Sequence, residues 1–162
     1  MSYEIKGFYR EYFPLSNFYD NGIMQVSING IGFTSVEAAF QAEKSVLVMN
    51  SETNLRKYNH LLKAFSKMTP DEAKVIGRNI ILRDDWYLAR DAIMLNLVYQ
   101  KFHLNPVLKE LLLGTKDAYL EETNNWHDNY WGNCICEKCK NIPGKNVLGI
   151  ILTKVRDTLR KE

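Results

Sequence analysis

Hydrophobic positions up to Phe33 follow no helical spacing. Ile5 to Tyr9 alternates weakly, and Met24 to Phe33 carries Asn29-Gly30 between apolar flanks, the short signal of a β-hairpin. Between them, FPLSNFYDNG is dense in turn formers and aromatics and reads as a loop held down by its rings. From Thr34 the spacing turns helical. Thr34 and Glu37 have the spacing of a capping box opening a helix that runs to about Met49. Leu55 to Phe65 is a second helical stretch. Thr69-Pro70-Asp71-Glu72 combines a cap, a proline at the first helical position and early acids, and predicts a helix ending near Leu82. Trp86 to Phe102 repeats apolar residues at Ala89, Ile93 and Leu97, and Asn105-Pro106 opens a short helix to about Leu113. Val147 to Leu159 sets Leu148, Leu152, Val155 and Leu159 on one face. Asp117 to Asn146 is the least regular stretch, and so long a loop inside a domain is often functional. The pattern predicts an α+β fold: a mainly helical single domain over residues 1–162 with a small N-terminal β-hairpin region.

Composition narrows the function classes. The 162 residues are 46% hydrophobic and 25% charged, close to the globular average, which excludes a mostly disordered chain. Lys and Arg total 21 against 19 Asp and Glu, so the net charge of +2 gives no bulk attraction to nucleic acid or membrane. No stretch approaches the roughly 20 apolar residues of a membrane helix, and the start MSYEIKGFYREYF lacks the apolar core of a secretory signal. A cytoplasmic protein without a membrane partner is expected. The three cysteines, an odd number packed into CICEKC, do not form an extracellular disulfide framework.

Several constellations carry chemistry-bearing side chains. At about 100° per residue, Glu37, Gln41 and Lys44 share one narrow helical stripe flanked by apolar residues. Two readings stand: a capping carboxylate on a solvated face, or a wet cavity in which Glu37 is an acid/base and Lys44 an anion anchor. Asp128 lies between Trp126 and Trp131 in WHDNYWG, where it either makes a turn or faces a stacking pocket for a planar base. Cys134, Cys136 and Cys139 offer three thiolates, with His127 the nearest fourth ligand for zinc. No second CxxC accompanies them, so plain thiols are the expectation and a structural zinc site the alternative. Gly144-Lys145-Asn146 before the last helix reads as a helix start or as a cradle of N–H groups for phosphate. Gly77-Arg78 falls inside a predicted helix, where a glycine costs about 1 kcal/mol relative to alanine. It therefore signals close packing or close ligand approach, with Arg78 available to a phosphate. No Walker A, GxGxxG or HExxH motif is present.

PLSNFY, FTSVEAAFQAEK, IGRN, DDWYLARDAIM, LVYQKF, NPVLKELLLGT, HDNYWG and GKNVLG follow one another in an order that resembles the NADAR family of YbiA-like N-glycosidases, from about Phe8 to Arg160. The resemblance implies a YbiA-like fold and hydrolysis of the N-glycosidic bond of a phosphorylated ribosyl base, without a cofactor or resident metal. Glu37, Asp128 and Trp86 fall on the family's catalytic or essential positions. Asn17, Lys44, Arg78, Trp131 and Asn146 fall on positions expected to bind substrate. Within the family, some members resemble housekeeping enzymes that cleave phosphoribosylamino-pyrimidine intermediates of riboflavin biosynthesis. Others remove ADP-ribose from guanine in nucleic acid.

The chemistry accounts for these residue types. Departure of the base builds positive charge on the ribose, which one carboxylate stabilises while it activates water; the second serves the leaving base. Glu37 is assigned to the ribose or water and Asp128 to the second role. Trp86 or Trp131 would stack on the base, and Lys44 and Arg78 would hold the phosphate. One departure stands out: CICEKC replaces a short glycine-rich loop between Trp131-Gly132 and Gly144, which tilts the expectation towards a modified nucleotide in nucleic acid. The rival class is a non-catalytic module that binds ADP-ribose or NAD.

Overall fold

The Asn29-Gly30 hairpin forms as predicted, in a computed structural model that describes residues 3–48 and 52–162. The elements begin with β1 (Glu4–Lys6), a 3₁₀ helix (Arg10–Leu15), β2 (Val26–Ile28), β3 (Ile31–Phe33) and α1 (Val36–Glu43). Then come α2 (Glu52–Phe65), α3 (Pro70–Gly77), α4 (Trp86–Leu104) and α5 (Pro106–Gly114). Last are β4 (Tyr119–Glu121), β5 (Thr123–Asn124), β6 (Asn133–Cys134) and α6 (Val147–Leu159). The architecture is α+β with helices dominant. The chain gathers into two units, one of Asn17–Leu104 and one joining Met1–Ser16 to Asn105–Glu162.

In the Asn17–Leu104 unit, Asn29 and Gly30 take φ of 51° and 77°, the pair of positive values a two-residue hairpin turn needs. α1 is the central element and packs against α2, α3, α4 and β2. Every residue from Val36 to Ala42 is buried, which the small side chains of Ala38, Ala39 and Ala42 permit by letting neighbouring helices approach. The predicted solvated stripe is thereby overturned: Glu37 is 7% exposed and Gln41 4%. The cap also differs by one residue. Ser35, rather than Thr34, caps α1, its Oγ accepting from Ala38 N at 3.2 Å, while Thr34 donates to Asp20 Oδ2.

Two helices stop earlier than their periodicity predicts, for one shared reason. Past α1 and α3 the two chain segments pair with each other. Val46 N donates to Ile81 O at 2.9 Å and Arg83 N to Lys44 O at 2.8 Å, bracketing an antiparallel bridge between Ser45 and Leu82. A ladder between segments satisfies backbone groups that a continued helix would have used internally. Gly77 therefore closes α3, with Arg78 at its C-terminal cap, rather than lying mid-helix. The predicted end of α1 at Met49 falls outside the described residues. The capping box of α3 forms as read: Thr69 Oγ1 accepts from Glu72 N, and Glu72 Oε2 accepts from Thr69 N.

In the other unit, the N-terminal strand has a distant partner. β1 pairs in parallel with β4, Ile5 opposite Leu120. α6 lies against β4 and α5 and buries Leu148, Ile151, Leu152, Val155 and Leu159. Arg156 is buried on the same helix, its Nη1 donating to Thr115 Oγ1 at 2.8 Å and to Ala118 O at 3.0 Å. β5 and β6 make a two-residue parallel pair inside the stretch that shows no regular pattern in the sequence.

Candidate functional site

The stripe on α1 is a buried polar seam. Glu37 N donates to Asn17 O at 3.0 Å, which fixes the first turn of α1 against the segment after Ser16. Asn17 is itself buried, its Nδ2 donating to Met94 Sδ at 3.4 Å. One turn along α1, Gln41 Nε2 donates to Glu37 Oε1 at 2.6 Å. A hydrogen bond that short to a carboxylate oxygen holds the acid in one orientation. Gln41 Oε1 is buried with no hydrogen-bond partner among the described residues and lies where a Cβ on Gly77 would be. Glycine at the end of α3 is thus a packing requirement of the seam.

Cations and rings complete this arrangement. Lys44 Nζ stands 5.8 Å from the centroid of Phe40 and 5.9 Å from that of Trp86, and those two rings pack at 5.0 Å, tilted by 55°. Burial pushes the Lys44 ammonium below its ordinary range; Glu37 opposes that shift, and Lys74 and Arg78 add to it. A half-buried ammonium beside one carboxylate and two other cations is suited to an anionic ligand. Trp86 is buried at the start of α4 and seats Lys44. Of the residues expected from the sequence, Asn17, Glu37, Lys44, Arg78 and Trp86 belong to this unit.

Lys74 and Phe18 were missed. Lys74 lies four residues before Arg78 on α3, so the two share a helical face. Its Nζ sits 5.0 Å from the ring centroid of Phe18, within PLSNFY. The offset from Arg78 was the available signal.

Asp128, Trp131 and Asn146 belong to the other unit. Asp128 Oδ1 accepts from Tyr130 N at 3.0 Å and Trp131 N at 2.9 Å, so this carboxylate does shape a turn. That turn engages one oxygen. Trp131 is half-buried and meets Tyr130 edge-on, centroids 5.1 Å apart. Asn146, expected to bind substrate, also ties the interior together. It is 4% exposed with φ of 50°. Its Oδ1 accepts from Glu122 N at 3.0 Å, and its Nδ2 donates to Leu120 O at 2.8 Å and Tyr119 Oη at 3.3 Å. Of the two readings of Gly144-Lys145-Asn146, the helix start holds and the phosphate cradle does not. The N–H groups of Gly144, Lys145 and Asn146 donate to Asn133 Oδ1, Asn129 O and Gly132 O.

The cysteines do not lie apart as plain thiols. His127 Nδ1 is 3.3 Å from Cys139 Sγ and 3.4 Å from Cys136 Sγ, and His127 N donates to Cys134 Sγ at 3.3 Å. All four donor atoms lie within 4.8 Å of one another, and none of the thiols is in a disulfide.

A family model described as the NADAR domain matches residues 7–160. An N-glycosidase of Nostoc punctiforme is 34% identical over 94% of this chain and 91% of its own length. The N-glycosidase YbiA of Shigella boydii is 31% identical over 94% of this chain and 84% of its own. A chloroplastic riboflavin biosynthesis protein of Arabidopsis thaliana is 30% identical over 64% of this chain and 17% of that protein. The NMR structure of YbiA from Escherichia coli superposes with a TM-score of 0.73 at 29% identity, covering 99% of this chain and 88% of that one. Among the described residues no helix is long and apolar enough to cross a membrane.

Proposed function

The chain belongs to the NADAR domain family, and from that premise we propose that it is an N-glycosidase hydrolysing the bond between a phosphorylated ribose and a base. The observation that carries this reading is the Glu37 carboxylate, buried and held by Gln41 in the same unit as Lys44, Lys74 and Arg78. A buried, oriented carboxylate stabilises positive charge developing on the ribose and accepts a proton from attacking water. The three cations match a phosphate carried by the substrate. Binding that phosphate supplies energy for orienting the reacting bond.

Asp128, which the family resemblance marks as a catalytic carboxylate, keeps that proposed role, with one oxygen outside its turn. Trp131 is the proposed stacking ring, whereas Trp86 acts by seating Lys44. Asn17 acts through its backbone, anchoring Glu37. Two substrate classes fit this chemistry. Likeness to the plant riboflavin protein supports a phosphoribosylamino-pyrimidine; the CICEKC segment next to Asp128 and Trp131 supports ADP-ribosylated guanine in nucleic acid.

Incubation with each substrate, followed by chromatography of the released base or sugar, tests the reading. Release by the wild type and loss in Glu37→Gln, with binding retained, is expected. Tight binding of ADP-ribose or NAD with both N-glycosides left intact would replace the enzyme by a binding module.

A further inference from the structure

We propose that His127, Cys134, Cys136 and Cys139 form a structural zinc site that fixes the turn carrying Asp128 and Trp131. The donor set is one imidazole nitrogen and three thiols, the soft nitrogen and sulfur combination that selects tetrahedral zinc. A tetrahedron with Zn–S bonds of about 2.3 Å and a Zn–N bond of about 2.0 Å has edges of about 3.5–3.8 Å. The two nitrogen–sulfur separations of 3.3 and 3.4 Å are close to such edges, and the whole set spans no more than 4.8 Å. Small adjustments of side chains would close the coordination.

The surrounding backbone is arranged for it. Cys134 ends β6, paired with β5, and Cys139 N donates to Cys136 O at 2.9 Å, making the turn between the last two thiols. Cys134 and Cys139 are buried. His127 takes φ of 67°, which an L-residue adopts at a cost of roughly 1–2 kcal/mol. The amide of the same residue points at Cys134 Sγ, an outer contact of the kind that stabilises a thiolate ligand.

Two features speak for a metal over free thiols. The segment from Ile135 to Pro143 has neither helix nor strand, and Ile135 and Ile142 lie exposed. Apolar burial therefore supplies little to hold its cysteines beside His127, and a four-ligand ion would supply it. With four protein ligands the site is closed, so the ion is structural and takes no part in hydrolysis. Its effect on function is positional: His127 and Asp128 are adjacent, and the ion would clamp the Asp128–Trp131 turn to β6. Asp128 and Trp131 enter only through the Proposed function; the metal site itself stands without it.

The test reads metal, not turnover. Reduced protein purified without chelator is analysed for zinc, and the apoprotein is titrated with cobalt(II). About one zinc per chain is expected, with the thiolate charge-transfer and strong d–d absorption of tetrahedral cobalt. Cys136→Ser and His127→Asn, the latter tolerant of positive φ, should each bind far less zinc than wild type. Under about 0.2 zinc per chain together with no tetrahedral cobalt spectrum overturns the proposal. Full zinc retention in both variants also overturns it, because the ion would then sit elsewhere. Base release measured on the same samples separates this outcome from the enzymatic reading.

Discussion

Glu37 and Gln41, one turn apart on α1, are joined by a 2.6 Å hydrogen bond in which the amide donates to the carboxylate. The pair is buried on the central helix of its unit, so the acid has no freedom to swing into solvent. Glu37→Gln should lower kcat/KM by roughly 10²–10⁴, the range for loss of an acid or base. Gln41→Leu leaves the carboxylate but removes its orientation, and about a tenfold fall in kcat with little change in KM is expected. Steady-state kinetics on the cleaved substrate check both. Equal losses in the two variants would show that Gln41 does more than orient.

Gly77 closes α3 against Gln41. Gly77→Ala should cost about 1–3 kcal/mol by overpacking, read from the urea midpoint. Because the added methyl meets the Gln41 side chain, Gln41→Ala in the same chain should recover part of that loss. Strict additivity would place the strain elsewhere.

Lys44, Lys74 and Arg78 predict a dependence on substrate phosphate. Lys44→Met should raise KM for the phosphorylated substrate more than for its dephosphorylated analogue, so that the two converge. An equal change for both would remove phosphate binding from Lys44.

Asn146 ties the start of α6 to Tyr119 and Leu120 of β4 and to Glu122 just after it by three hydrogen bonds. Asn146→Ala should destabilise the protein by about 2–3 kcal/mol, since it leaves buried backbone groups unpaired. Thermal melting detects this. A variant with wild-type stability and a raised KM would give Asn146 a role at the substrate in place of a structural one.

Lys101 on α4 is 1% exposed, its ammonium near the rings of Tyr19 and Phe102 at 5.5 and 5.2 Å. Burial pushes its pKa down to about 7. Between that value and the ordinary 10.5 the unfolded chain holds a proton that the folded one lacks. Stability therefore rises with pH across that window and is independent of this group below it. The contribution approaches about 1.4 kcal/mol per pH unit at its steepest. Urea denaturation from about pH 7 to about pH 9 should show a smaller slope in Lys101→Met.

Legibility in the sequence followed the range of the signal. Asn29-Gly30, the Thr69–Glu72 box and the apolar face of α6 were readable because each is set by residues within a turn of one another. The motif order marked Glu37 and Asp128 as expected functional positions. It could not tell that Ser35 rather than Thr34 caps α1, since both hydroxyls suit the role and Asp20 engages Thr34 from 14 residues away. Asn146 was legible as a special residue, but its internal hydrogen bonds were not, because their partners lie on β4 and just after it.

Local spacing and turn chemistry alone determined where most helices begin and where the hairpin turns, while the ordered motifs carried the family resemblance. Tertiary structure decided where α1 and α3 stop, since the segments after them pair with each other. It also decided the burial of the Glu37–Gln41 seam, the parallel pairing of Ile5 with Leu120, and the convergence of His127 on three thiols. The physical reason is common to all of these. Burial and strand pairing are properties of two surfaces that meet, and a single stretch of sequence specifies only its own half.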